Sequence, residues 1–212
     1  VLFADTGLVK SARQVGWARQ VREHTGGSVL ILAPLCVAQQ TVEEAAKFGM
    51  EVVYTRTQPS EQGIYITNYE MLDRMEPEAF AGVVLDESSI LKAHDSKTRL
   101  ALIAAFRETP YRLSCTATPS PNDHMELGNQ AEFLGVMTQA EMLAMFFTHD
   151  GGDTSQWRLK GHGKTRFWEW LSTWAICVRN PSDLGFDGAR YVLPGLEVHE
   201  HLVESDFVPE GQ

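Results

Sequence analysis

The stretch Ala4-Asp5-Thr6-Gly7-Leu8-Val9-Lys10-Ser11 decides the fold of this chain. It follows the phosphate-loop pattern G-x-x-x-x-G-K-[ST], in which backbone amides hold phosphate oxygens, the lysine reaches the terminal phosphates and the hydroxyl ligates magnesium. Ala4 and Val9 stand where the pattern has its two glycines. The apolar residues before this stretch are typical of the end of a buried strand, and a helix is predicted from Lys10 onward. A strand, a tight loop and a helix N-terminus together favour an anion at that point.

The residues of this loop that we expect to bind a nucleotide are Thr6, Gly7, Leu8, Val9, Lys10 and Ser11. The alternative is a simple strand-to-helix turn in which the spacing of Lys10 and Ser11 is incidental. Val9 replaces a glycine whose place requires close approach of the backbone to phosphate, and a β-branched residue does not readily adopt unusual dihedrals. We therefore hypothesise that Val9 weakens nucleotide binding.

A second motif follows the apolar run Val83-Val84-Leu85, which has the length and β-branched content of a buried parallel strand. Asp86 and Glu87 come at the end of that strand, where ligands collect in open α/β sheets. We expect Asp86 to hold magnesium, usually through water, and Glu87 to polarise the attacking water. The alternative is that this acidic pair only caps the next helix.

Composition sets the broad class of the protein. With 212 residues and 43% hydrophobic content, the chain can bury one substantial core. It has no apolar run of 18 or more residues and no export signal, so we expect a soluble, cytoplasmic protein with no membrane partner. Cys36, Cys115 and Cys177 are widely separated and lack metal-ligand spacing, which indicates reduced thiols.

Charge limits the kinds of nucleic-acid contact that this chain can make. A net charge of −10 argues against a surface that attracts nucleic acid everywhere, so any such contact must be local. One candidate is the basic stretch from Arg158 to Arg166, for which a solvated loop is the alternative. The aromatic residues of the helix predicted over 164–177 indicate core packing in preference to base stacking.

The order of predicted elements gives the fold class. Apolar runs of strand length occur at residues 28–33, 51–54, 63–67, 82–86 and 111–115. Helices are predicted over 10–25, 34–48, 68–75, 96–106, 138–148 and 164–177. Strands that alternate with helices give an α/β fold with a mostly parallel sheet covered by helices on both faces.

Taken in order, five sequence blocks resemble the first motor domain of superfamily-two helicases and translocases, the DEAD/DEAH-like and Snf-type proteins. The blocks are residues 4–11 (motif one), Ala33-Pro34-Leu35 (motif Ia), Thr67-Asn68-Tyr69-Glu70 (motif Ib), Asp86-Glu87-Ser88-Ser89 (the DExx position) and Thr116-Ala117-Thr118-Pro119 (motif three). Residues 127–186 further resemble phage and prophage helicases of this group.

The resemblance implies a RecA-like P-loop NTPase domain that binds ATP and Mg²⁺ in a cleft shared with a second RecA-like domain. By analogy, Lys10 and Ser11 take phosphate and metal, Asp86 takes the metal and Glu87 the water. The resemblance also implies that Thr116 and Thr118 link nucleotide state to domain movement. The residues implied to lie near the nucleic-acid backbone are Pro34, Leu35, Thr67 and Asn68. Tracking would be independent of sequence, on DNA in preference to RNA.

We expect a RecA-like domain over residues 1–190, with its first strand truncated, and a linker over 191–212 that starts a second such domain. The adenine-recognition segment that normally precedes motif one and the second domain with its arginine finger are outside this sequence. The leading interpretation is the ATP-binding half of a nucleic-acid-dependent ATPase that hydrolyses ATP barely above background by itself. The alternatives are a degenerate motor domain that binds DNA or a partner without turnover, and a small-molecule P-loop kinase.

Overall fold

The computed structural model describes most of the chain. The described residues are 1–4, 8, 10–92, 97–118, 124–150, 153–192, 195, 198 and 199.

Seven parallel strands form one sheet that organises the domain. They are β1 (Leu2–Ala4), β2 (Ser28–Ala33), β3 (Val53–Tyr54), β4 (Ile64–Asn68), β5 (Phe80–Asp86), β6 (Tyr111–Thr116) and, at the end of the described chain, Ile176–Val178. An antiparallel hairpin of β7 (Phe147–Asp150) and β8 (Asp153–Leu159) precedes that last strand, which is therefore β9. The sheet order is β3-β4-β2-β5-β6-β1-β9, so the mostly parallel sheet predicted from the sequence is confirmed.

Helices cover both faces of the sheet, as predicted. They are α1 (Lys10–Thr25), α2 (Leu35–Lys47), α3 (Lys97–Ala105), α4 (Glu126–Leu134), α5 (Gln139–Phe146) and α6 (Lys164–Ser172). Among the helices in the described ranges, none combines the length and apolar character that crossing a membrane requires.

Strand β2 is buried on both faces of the sheet and contributes to two hydrophobic clusters. Val29 and Ile31 pack on one face with α1 and α2, whereas Leu30 and Leu32 pack on the other with α3 and α4. Because successive strand residues point to opposite faces, a strand buried on both sides must be apolar at every position. A third cluster around Phe167 joins β1 to α4, α5, α6 and the hairpin.

Strand register brings the three predicted motifs to one edge of the sheet. Asp86 at the end of β5 pairs with Cys115, and Phe3 of β1 pairs with Thr116 at the end of β6. Strands β5, β6 and β1 are neighbours, so the acidic motif, the threonine motif and the strand that leads to Lys10 end side by side. The carboxyl edge of a parallel sheet is where ligands bind in this architecture.

The last part of the described chain differs from the sequence prediction. A helix was predicted over 164–177, but α6 ends at Ser172 and Ile176–Val178 forms β9. The physical reason is that β1 would otherwise be an edge strand, and Ile176–Val178 supplies the partner that satisfies its backbone groups.

The predicted helix over 138–148 also needs correction, and the structure shows what part of the basic stretch from Arg158 to Arg166 forms. Helix α5 ends at Phe146, because Phe147 starts the hairpin and its ring packs at 5.7 Å from that of Phe167. The basic stretch belongs partly to β8 and is not simply a loop. Its Lys160 ammonium donates to the carbonyls of Ala144 and Met145 at 2.9 and 3.1 Å, which caps the end of α5.

Two smaller predictions also turned out differently or only in part. The segment after Asn68 is a 3₁₀ helix, Tyr69–Arg74, and the Asn68 side chain makes no capping hydrogen bond. In α6, Phe167 is fully buried as expected of a core residue, but Trp168 is 40% exposed.

Candidate functional site

Asp86 is the centre of the carboxyl edge. Its side chain is buried, and its Oδ1 atom accepts hydrogen bonds from Gln14 Nε2 at 2.6 Å and from the Glu87 backbone amide at 3.0 Å. Burial raises the pKa of Asp86 above its usual value, while these two hydrogen bonds and the charge of Lys10 act in the opposite direction. Gln14 lies one turn after Lys10 on α1, so its hydrogen bond to Asp86 brings the start of α1 to the end of β5.

The thiol below this site does not compete for a cation. Cys115 pairs with Asp86 across the sheet and is fully buried. Burial raises the pKa of the Cys115 thiol to about 12, so it stays neutral at physiological pH.

The chemistry of these groups fits a magnesium nucleotide. A magnesium site in phosphate-transfer proteins uses one or two carboxylates, a hydroxyl, water and the phosphates themselves in place of an all-protein cage. In such a site Asp86 would provide the carboxylate, the half-buried Ser11 the hydroxyl and Lys10 a cation for phosphate. Among the described residues, no group of three or more His, Cys, Asp or Glu side chains could hold a metal ion without such a ligand. Burial disfavours the charged form of Asp86, and a cation bound beside it would favour that form.

Glu87 is held by its backbone and by a neighbouring strand. Its φ and ψ angles are 50° and 55°, and it is the one non-glycine residue with positive φ in the described part of the chain. Left-handed conformations at such residues are rare and cluster at functional sites. Thr116 Oγ1 donates to Glu87 Oε1 at 2.9 Å, which fixes the carboxylate at the end of β5.

A short chain of hydrogen bonds continues from Glu87 through the threonine motif. The Thr118 backbone amide donates to Thr116 Oγ1 at 3.1 Å, and the Lys92 ammonium donates to Thr118 Oγ1 at 3.0 Å. The two predicted coupling residues, Thr116 and Thr118, are therefore connected to Glu87 directly and in series. Their role in coupling stays a prediction.

Helix α4 supports the turn that follows the acidic pair. Residues Ser88–Leu91 form a 3₁₀ helix, and Gln130 Nε2 donates to the Ser88 carbonyl at 3.0 Å. Asn129 Nδ2 donates to the Leu91 carbonyl at 2.8 Å, and Arg99 Nη1 donates to Asn129 Oδ1 at 3.0 Å. Because backbone carbonyls buried in a core need donors, these side chains stabilise the turn that presents Glu87.

Tyr69 connects the acidic pair to the segment that resembles motif Ib. Its hydroxyl donates to the Asp86 backbone carbonyl at 2.6 Å. Burial, together with the nearby carboxylates of Asp86 and Glu87, raises the pKa of Tyr69 well above its usual range, so the hydroxyl remains a donor. Tyr69, Glu87 and Leu35 also line a shallow groove of about 360 Å³.

The phosphate-loop residues predicted from the sequence are placed only in part. Lys10 and Ser11 begin α1, as the pattern requires. The Leu8 side chain is buried in a small cluster with Ala4 and Val178. The predicted positions Thr6, Gly7 and Val9 lie outside the described residues.

The predicted nucleic-acid residues divide into an exposed pair and a buried pair. Leu35 is 59% exposed, and Pro34 beside it lines the shallow groove. Thr67 and Asn68 are only 0% and 5% exposed, because they end β4, which lies between β3 and β2 in the sheet, and the Asn68 side-chain amide donates to Glu70. The placement of all four residues near a nucleic-acid backbone stays a prediction, and for the buried pair such a contact would be made by backbone groups.

The sequence reasoning missed Gln14, Tyr69 and Gln130. Gln14 had a detectable signal, since it occupies the same helical face as Ala18 and Val21, which are buried core residues. A polar residue on the apolar face of a predicted helix needs a buried partner. The partners of Tyr69 and Gln130 are backbone carbonyls, and no spacing rule in the sequence points to them.

Comparison with known proteins agrees with the geometry. A family model described as "SNF2-related domain" matches residues 8–149. No curated protein matches the chain. Two solved structures are similar. The Hef helicase domain of Pyrococcus furiosus has 16% identity and a TM-score of 0.52 over 70% of this chain and 37% of that chain. The UvsW helicase of bacteriophage T4 has 12% identity and a TM-score of 0.49 over 63% of this chain and 51% of that chain.

These matches cover only part of the compared proteins. The chain spans about half, or less, of the length of the two solved structures. The Hef likeness shows the fold, and the family match covers more than half of the chain, from the phosphate loop into the hairpin. The chain therefore belongs to the SNF2-related domain family, and its fold is a RecA-like α/β fold similar to that of the Hef helicase domain.

Proposed function

We propose that this chain is the ATP-binding half of a nucleic-acid-dependent ATPase that couples hydrolysis of MgATP to movement on DNA. The observation that carries the proposal is the hydrogen bond from Gln14 to Asp86, which brings the start of α1, where Lys10 lies, to the acidic pair at one edge of the sheet. Its partners would be a second RecA-like domain of the same protein and a DNA backbone near Pro34 and Leu35.

Each group at the site has a role in this proposal. Lys10 binds the terminal phosphates, Asp86 with Ser11 holds the metal, and Glu87 orients and deprotonates the attacking water. Mg²⁺, when bound, would neutralise charge that develops on the phosphates. Thr116 holds the Glu87 carboxylate in place, and the Thr118 backbone amide extends this contact by one more hydrogen bond.

Measuring ATP hydrolysis by this chain alone tests whether turnover requires the second RecA-like domain. We expect the chain to bind MgATP but to turn it over barely above background, because the arginine that stabilises the transition state would come from the second domain. Such a residue accounts for roughly 10³–10⁵ in rate. Phosphate release measured with the chain alone and with the full-length protein plus single- or double-stranded DNA checks this. A turnover near one per second by the chain alone would contradict the proposal.

A degenerate domain that binds DNA or a partner without turnover is the second candidate, and the substitution at Val9 is the specific observation that favours it. Calorimetry with a non-hydrolysable ATP analogue and Mg²⁺ separates the two, since a degenerate domain gives no heat of binding. A small-molecule kinase is a third candidate, and it has no need for the hydrogen bonds that run from Glu87 to Thr118.

Replacement of Val9 by glycine is expected to raise the affinity for MgATP roughly ten- to hundredfold, since backbone strain of about 1–3 kcal/mol would be relieved. Titration calorimetry on the chain measures the change. Val9→Ala is the matched control, because it removes the β-branch but keeps the Cβ atom that restricts the backbone. An affinity that is the same in wild type and Val9→Gly would remove the hypothesis that Val9 weakens binding.

A further inference from the structure

Gln14 is a second polar residue that α1 presents to the carboxylate of Asp86. It lies one turn after Lys10, and its side chain is fully buried. Its Nε2 atom donates to Asp86 Oδ1 at 2.6 Å and its amide also interacts with the Cys115 thiol, while its Oε1 atom accepts no hydrogen bond from the described residues. A buried amide that leaves its oxygen unpaired is costly, so packing alone does not explain a glutamine at this position.

The hydrogen bonds to Asp86 are unevenly divided between its two oxygens. Oδ1 accepts from Gln14 and from the Glu87 backbone amide, which uses both of its lone-pair directions. Oδ2 accepts no hydrogen bond from any residue in the described ranges. The oxygen left for a metal ion, or for a water bound to that ion, is therefore Oδ2.

We propose that Gln14 is a positioning residue that directs Oδ2 of Asp86 towards the Mg²⁺ of a bound nucleotide. This inference rests on the proposed function, because it concerns the metal of the same nucleotide. It goes further by naming a residue outside the phosphate-loop and acidic motifs that sets metal affinity. Partners that orient a metal-binding carboxylate are worth about 10- to 100-fold in metal affinity.

Helix α1 carries both the lysine proposed to bind phosphate and the glutamine that contacts the metal-binding carboxylate. Residues four apart on a helix lie on the same face, so Lys10 and Gln14 approach the end of β5 together. A shift of α1 would move the phosphate-binding ammonium and the donor to Asp86 as one unit. The separation of the phosphate and metal subsites is thus set by one rigid helix.

The test measures the Mg²⁺ dependence of nucleotide binding to the chain itself, with a fluorescent ADP derivative and increasing Mg²⁺. Gln14→Met keeps the side-chain volume and removes the donor together with the unpaired oxygen. We expect the Mg²⁺ concentration for half-maximal binding to rise about tenfold or more, with binding in the absence of Mg²⁺ unchanged. Gln14→Asn, whose side chain is one methylene shorter, is also expected to raise the Mg²⁺ concentration for half-maximal binding. It replaces Gln14→Met in the experiment if that variant folds poorly.

Gln130→Met is the matched control. Gln130 is also a buried glutamine with one hydrogen bond, to the Ser88 carbonyl, and with an Oε1 atom that no described residue contacts by a hydrogen bond. Gln130 does not touch the Asp86 carboxylate. The Mg²⁺ dependence of nucleotide binding in Gln130→Met should therefore equal that of wild type.

Three results would overturn the inference. Wild-type Mg²⁺ dependence in Gln14→Met would remove Gln14 from metal positioning and leave the proposed function intact. An equal rise in Gln14→Met and Gln130→Met would assign the effect to general loosening of the acidic turn. A wild-type chain whose nucleotide binding ignores Mg²⁺ would overturn the inference and the proposed function together.

Discussion

Replacement of Lys10 by alanine is expected to weaken binding of MgATP roughly 10- to 100-fold, because hydrogen bonds to charged groups contribute about 1.5–3 kcal/mol each. Lys10 begins α1 beside Asp86, and its ammonium would be the cation nearest to the terminal phosphates. The loss should be larger for ATP than for ADP, since the lysine reaches the terminal phosphates. Titration calorimetry with ADP and with a non-hydrolysable ATP analogue measures both affinities.

The control for Lys10→Ala is Arg19→Ala. Arg19 lies on the same helix and is exposed, where it pairs with Glu23 at 3.3 Å, so its removal changes the net charge equally without touching the site. An exposed pair of this kind contributes little to stability. Equal loss of affinity in the two variants would mean that net charge and not the position of Lys10 drives binding. Unchanged affinity in Lys10→Ala would rule out the phosphate-loop assignment.

The central sheet was predictable because its strands are apolar at nearly every position. The residues of β2 and most of β5 pack on both faces, and such runs appear in a sequence without any knowledge of their neighbours. Strand β9 was not predictable for the opposite reason. Its three residues follow an aromatic helix whose apolar periodicity continues past Ser172, and only the need of β1 for a partner decides the pairing.

The site residues that lie at the end of a strand or the start of a helix were predictable. The residues that reach the site only through contacts with distant parts of the sequence were not. Asp86 and Glu87 end a strand that the sequence marks clearly, and Lys10 begins a helix at a recognisable loop. The contact from Gln14 to Asp86 joins residues 72 positions apart, and no spacing rule reaches that far. The left-handed backbone of Glu87 was also hidden, because that conformation is usually indicated by glycine or asparagine.

The local geometry of Glu87 makes its amide variant a specific probe of chemistry. Glutamine has the same shape as glutamate, and its side-chain oxygen can still accept the hydrogen bond from Thr116 Oγ1. Because both residues carry a Cβ atom, the cost of the positive φ angle is also preserved. The variant therefore changes the ability of residue 87 to take a proton while it keeps the fold and the hydrogen bond.

Glu87→Gln in the full-length protein is expected to lower DNA-stimulated kcat by about 100- to 10,000-fold, the usual contribution of a positioned general base. The affinity for MgATP should stay close to that of wild type, because Lys10 and Asp86 are unchanged. Single-turnover hydrolysis measures the chemical step, and Glu70→Gln is the control, since Glu70 is an exposed carboxylate that lines the same shallow groove. A kcat near that of wild type in Glu87→Gln would show that Glu87 is not the general base. An equal loss of kcat in Glu70→Gln would show that the negative charge of the groove, and not proton transfer at residue 87, controls turnover.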